Sequence, residues 1–147
     1  MASFVKYNQF VEDLAHGVHD LKTGTSHVLK VLLSNTAPNV STHAVRADTT
    51  ELSTANGYTS GGISVGTLTG AQASGTFKVS GGTDPVWTAS GGSMATFRYA
   101  ILYNDTPTSP ADPLIGYWDY GAGGVTLAVG ETFTVDLDQT NGILTIT

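Results

Sequence analysis

Residues 95–120 read ATFRYAILYNDTPTSPADPLIGYWDY. Two runs of aromatic and branched side chains, 97–103 and 114–120, flank residues 104–113, which are almost all turn formers. Aromatic and β-branched residues fit a pleated, half-buried surface, and clustered Pro, Asp, Asn, Ser and Thr interrupt it, so the stretch predicts a β-hairpin with a long loop. Setting Tyr103 opposite Leu114 brings Ala100 opposite Tyr117, Leu102 opposite Ile115 and Arg98 opposite Asp119. The two charges of the strand pair then meet across the ladder and help to set its register. Both faces of both strands are largely apolar, as in strands covered on two sides, so the hairpin is expected inside a sheet and not at its edge.

The rest of the chain supplies more short strands. An apolar run at 27–33 reads as a core strand, followed by period-two alternation at 63–68, runs at 74–79 and 86–89, and strands at 125–129 and 131–137. In the last of these Phe133, Val135 and Leu137 share one face, and Thr132, Thr134 and Asp136 share the other. Residues 143–147 are expected to fold back on 131–137 as its antiparallel partner through the turn at 138–142. Residues 49–52 suit either an edge strand or a turn of helix. Near the N-terminus Tyr7, Phe10, Val11, Leu14 and Val18 recur at helical spacing, so residues 8–15 read as two helical turns ended by Gly17, or as an extended arm. Eight or nine short strands separated by turn signals predict an all-β, antiparallel β-sandwich, Ig-like or jelly-roll-like, as one domain over residues 1–147.

Composition narrows the function classes. With 12 acidic against 6 basic side chains and a net charge of −6, the chain has no basic stripe for phosphate backbones, which argues against nucleic acid and anionic membranes as partners. It has no cysteine, so disulfides and thiol-ligated metals are excluded. The first residues lack the apolar core of a signal peptide, and no run approaches the ~20 apolar residues of a bilayer span.

No catalytic constellation is legible. His16 and His19 have the i, i+3 spacing of paired metal ligands, but Gly17 breaks the helix that would align them and no acidic third ligand follows, so they read as polar loop or surface residues. Residues 136–142, DLDQTNG, resemble the start of a calcium loop but lack its glycine and distal glutamate, and a hairpin turn explains them. The Gly-Gly pairs open no helix and precede no lysine, so they are turns and not phosphate cradles. The chain is therefore read as non-enzymatic, without metal or cofactor. The aromatic rings of the hairpin suit core or subunit packing better than a sugar platform.

Several stretches taken together, Lys6-Tyr7-Asn8 with Phe10-Val11-Glu12, residues 30–38, Asn56-Gly57-Tyr58-Thr59 with Gly61-Gly62, and residues 97–105 and 114–121, resemble a family of small virion proteins of tailed bacteriophages. The resemblance covers nearly the whole chain. It implies a structural role in the particle, made in the host cytoplasm; size, acidity and β-richness extend this to a capsid decoration, or cement, protein on the capsid surface whose partners are the major capsid protein and copies of itself, as a trimer or dimer. Residues 1–21 are then a candidate docking segment, with Phe4, Tyr7, Phe10, Val11 and Leu14 as interface residues, or else they pack on their own sandwich. The alternative is a tail, neck or fibre component that binds host carbohydrate through exposed loops, with Tyr58, Trp87 and the 104–113 loop as recognition residues.

Overall fold

The computed structural model describes residues 2–147. In chain order the elements are β1 (Phe4–Lys6), α1 (Gln9–Ala15), β2 (Leu29–Ser34), a single 3-10 turn (Arg46–Asp48), β3 (Ile63–Ser64), β4 (Thr69–Ala73), β5 (Thr76–Ser80), β6 (Val86–Thr88), β7 (Tyr99–Asn104), β8 (Leu114–Asp119), β9 (Thr132–Thr134) and β10 (Leu144–Ile146). They form an all-β, sandwich-like fold of antiparallel sheets. One sheet has five strands in the order β1-β8-β7-β2-β3, and the others are β10-β5-β4 and β6-β9.

The hairpin β7-β8 lies inside the five-stranded sheet, with β2 on one flank and β1 on the other. Tyr103 faces Leu114 as the alternation predicts, but beyond that point the register moves by one, pairing Leu102 with Gly116, Ile101 with Tyr117 and Ala100 with Trp118. Ile115 is the extra residue, a bulge that no sequence pattern announces. Its effect is to turn Ile115 and Trp118 to one face and Leu114 and Tyr117 to the other, so each aromatic reaches its own cluster. The Arg98–Asp119 pair survives the shift as a forked ion pair, with both nitrogen–oxygen distances at 2.7 Å.

Two apolar clusters lie on opposite faces of this sheet. The larger gathers Leu29, Val31 and Leu33 of β2, Ala100 and Leu102 of β7, Ile115 and Trp118 of β8, and closes against Val79, Trp87, Val135, Leu137 and Leu144 from the other sheets and Phe10 from α1. The smaller joins Tyr7, Leu32, Tyr99, Ile101, Tyr103 and Leu114, with Tyr117 packed against them. The irregular 35–62 segment and the β7-β8 loop are tied to each other and to the sheet on this side: Leu114 N–H donates to Ala44 O, Arg46 N–H to Asp112 O, and Asn8 N–H to Val40 O.

Two strand expectations are corrected, and one strand was not anticipated. Residues 69–73 form β4, joined to β5 by the two-residue turn Ser74-Gly75, both with positive φ, the geometry that matches strand twist in tight hairpins. The 125–129 run forms no strand; only Val125 bridges, to Phe97. Residues 144–146 do not fold back on 132–134. β9 is taken by β6, and β10 pairs with β5, because the 138–142 turn carries the chain to the neighbouring sheet, where Ile143 N–H meets Val79 O at 2.7 Å. The N-terminal helix forms as the periodicity suggests, although Asn8 supplies no side-chain cap and instead reaches Ser41.

Candidate functional site

The N-terminal segment packs on its own sandwich. Phe4 stacks tilted on Trp118 with ring centroids 5.0 Å apart and lies so close over Gly116 that any side chain there would collide with it. Tyr7 is fully buried, Phe10 is 4 % exposed and Leu14 is half-buried in the main cluster; only Val11, at 53 %, stands out to solvent. Of the five candidate interface residues, Tyr7 and Phe10 are therefore core residues in the isolated chain, because the hairpin's aromatic faces bind them from within.

What the segment leaves open is an edge. β1 pairs with β8 on one side only. Alongside it runs a trough of about 350 Å³ lined by Phe4, Lys6, Phe10 and residues 141–145. It continues past Phe4 into hollows lined by Ala2, Trp118, Asp136 and Asp138. One end thus carries a lysine and the other two carboxylates, with apolar walls between them. Sequence reasoning placed Phe4 and Phe10 in a docking segment, and both do line this trough.

A polar hub sits where β3 is too short to cover β2. Beyond Val31 the outer edge of β2 has no strand partner; Leu33 N–H donates instead to the Tyr58 hydroxyl at 3.1 Å, and Leu52 N–H donates to Leu33 O at 3.0 Å. Tyr58 then donates to Glu51 Oε1 at 2.6 Å. The same carboxylate accepts from both Nε and an Nη of Arg46, from Ser60 and from Gly61 N–H. Burial pushes the Glu51 carboxyl upward, but the hydrogen bonds from Tyr58, Arg46 and Gly61 outweigh it and hold the carboxyl below its usual range. Arg46 also lies over the Tyr103 ring, whose hydroxyl donates to Gly61 O at 2.8 Å. Burial and the Glu51 hydrogen bond both raise the Tyr58 pKa far above its ordinary value. The chemistry here is structural, a carboxylate used as a five-fold acceptor that finishes a sheet edge.

A second knot lies on the other face of β7. Asn104, fully buried, donates its amide to Nδ1 of His27 at 2.9 Å and lies 3.2 Å from Nδ1 of His19. Asp20 N–H also donates to His27 Nδ1, so both rings accept at Nδ1 and carry their proton on Nε2. His19 Nε2 faces Asp13 Oδ2 at 4.0 Å, out of hydrogen-bond reach, and both atoms are buried without a partner. Burial lowers the His19 pKa to about 4, against an upward pull from Asp13 and with His27 adding to the fall. Of the two histidines read as polar loop or surface residues, His19 is a loop residue but a buried one, while His16 is exposed.

Tyr58 and Trp87, the candidate recognition rings, are each 2 % exposed. Tyr58 is turned inward by the need of the β2 edge for a donor and acceptor, and Trp87 faces the core between exposed Val86 and Thr88. Neither ring offers a face to a sugar. Sequence reasoning missed the roles of Glu51, Arg46, Asn104 and Asp13; the one signal available was that Arg46 and Glu51, in a stretch of mixed pattern, must be held by something, whereas Asp13 reads as an ordinary helix residue.

Among the described residues no group of three or more histidines and carboxylates is placed to hold a metal ion, and no helix is long and apolar enough to cross a membrane. Comparison with protein-family models, curated proteins and solved structures finds no match to this chain.

Proposed function

We propose that the chain is a non-enzymatic structural protein of a bacteriophage particle, a decoration protein that seats on the capsid and associates with copies of itself. The observation that carries the reading is the free edge of β1 beside its apolar, charge-tipped trough. A sandwich normally blunts or covers such an edge, and one left open is a template for another chain. The resemblance to small virion proteins supports it further: the stretches that bear it include the last residue of β1, much of α1, and β2, the Tyr58 loop and the β7-β8 hairpin, the elements behind this edge. A cysteine-free domain that folds by packing alone suits repeated use of one modest interface on a symmetric shell.

The test is the number of copies of this chain per purified virion, by quantitative mass spectrometry against the major capsid protein. A ratio comparable to the shell protein is expected. A few copies per particle would move the role to the neck or tail, and absence from the particle would overturn the virion reading.

A further inference from the structure

The free edge of β1 has a geometry that is complementary to itself. Tyr7 N–H donates to Ile115 O at 3.1 Å, and Val5 faces Tyr117 in the same ladder. In an antiparallel ladder the hydrogen-bonded pairs alternate, so Val5 and Tyr7 turn their backbone groups toward β8, and Phe4 and Lys6 turn theirs outward. Among the described residues no strand meets that outward side. The side chains of Phe4 and Lys6 line the trough, while Val5, 38 % exposed, lies on the opposite face.

We propose that the occupant of this edge is a second copy of the chain, pairing β1 with β1 antiparallel about a two-fold axis through Val5. The alternation supports that register. An axis at Val5 sets Phe4 of one copy against Lys6 of the other, the two residues whose N–H and C=O groups are free, and each such pair closes two backbone hydrogen bonds. The two Val5 side chains meet on the axis as a non-hydrogen-bonded pair, the closer kind of cross-strand neighbour. The charges agree as well. Lys6 lies at one end of the trough and Asp136 and Asp138 border its other end beyond Phe4, so an antiparallel copy brings its lysine to the acidic end and receives the reverse contact in return. Such an isologous contact closes after two copies and joins the two five-stranded sheets into one continuous sheet.

The inference deepens the self-association in the proposed function, and its test is separate from it. Sedimentation equilibrium of the full chain over a concentration series is expected to show a reversible monomer–dimer equilibrium. Val5→Asp sets two carboxylates against each other on the axis and is expected to weaken the dimer at least ~10-fold. Asp136→Lys is the sharper variant: it lowers the net negative charge, which by itself favours association, yet it faces the incoming Lys6 and is expected to weaken the dimer, and adding Lys6→Glu is expected to restore it. Asp136 and Lys6 are both exposed, and an unchanged thermal midpoint of the monomer checks that each variant folds. A wild-type chain that stays monomeric at millimolar concentration, or a dimer indifferent to Val5→Asp and Asp136→Lys, overturns the inference. Either result leaves the virion copy number standing, and a β1-linked dimer absent from virions leaves the inference standing without the virion role.

Discussion

Glu51 and His19 are both polar groups withdrawn from water beside β7, one reached from Tyr103 and the other from Asn104, the next residue along. They are satisfied to different degrees. Every oxygen of Glu51 has donors, and its arginine is anchored twice over. Around His19 one side of the ring is engaged by Asn104, while the Nε2 proton and the Asp13 oxygen it faces both go without a bond. A buried network in which every member is paired stabilises and specifies its surroundings, whereas one left incomplete keeps the desolvation cost without the return. The first knot should therefore be intolerant of change, and the second should be the place where mild acid acts first.

The largest effect is expected at Glu51. Glu51→Ala leaves Tyr58 with an undirected hydroxyl, Arg46 with only the Asp112 carboxylate at 3.7 Å and Gly61 N–H unpaired, and should cost about 3–4 kcal/mol at neutral pH, read by urea unfolding. A loss under ~1 kcal/mol would show that the 35–62 segment does not depend on the hub.

Acid should separate the two knots. His19 has a folded pKa of about 4 against 6.5 in its unperturbed state, so the unfolded chain takes up the proton first as the pH drops. Its contribution is complete above pH 6.5 and is lost on the way down to pH 4, amounting to about 3 kcal/mol. Glu51, whose carboxyl is depressed, keeps its contribution until the pH falls below 4.5. Unfolding free energies measured from pH 7 to 4 should fall in the wild type and flatten in His19→Gln; an identical slope in that variant would assign the loss to another group.

Asp13→Asn should change stability by less than ~1 kcal/mol, since Oδ2 bonds to nothing and the amide carbonyl can keep the bond that Gln9 donates to Oδ1. A cost as large as that of Glu51→Ala would mean that the two knots are equally tight. Smallest of all should be Asp119→Asn. The fork to Arg98 and the Gly121 N–H hold Asp119 down at about 2, but the pair is roughly a third exposed, so solvent screens most of its worth and thermal unfolding should shift by only a degree or two.

What could be seen in the amino-acid order follows the same division. The hairpin, its interior place in the sheet, the Phe133-Val135-Leu137 face and the Arg98–Asp119 contact rest on periodicity and nearby pairing, which a sequence carries openly. The Ile115 bulge was illegible because both registers bury the same apolar residues and differ in which faces Tyr117 and Trp118 take. β4 was missed because Thr69-Gly70-Ala71-Gln72-Ala73 has little strand propensity and exists by pairing with β5. The two knots join residues as much as 85 positions apart through single hydrogen bonds, and no local pattern encodes that. Tyr58 looked exposed for a related reason: glycines around a ring suggest a loose loop, whereas here Gly62 is needed because a side chain at that position would strike the Val31 carbonyl.

The pairing of β1 with β8 also sets a timetable. The first strand has no partner until residues 114–118 have been made, so at ~5–20 residues per second Phe4, Tyr7 and Phe10 are on the order of ten seconds old before they can be covered. For that interval the nascent chain carries three aromatic rings within seven residues uncovered, and several chains translated from one message would hold these segments out together. Because pairing of β1 with β1 uses the backbone groups of Phe4 and Lys6 and docking on β8 uses those of Val5 and Tyr7, the two events do not exclude each other, and a pair formed at the ribosome would still close onto its own two hairpins.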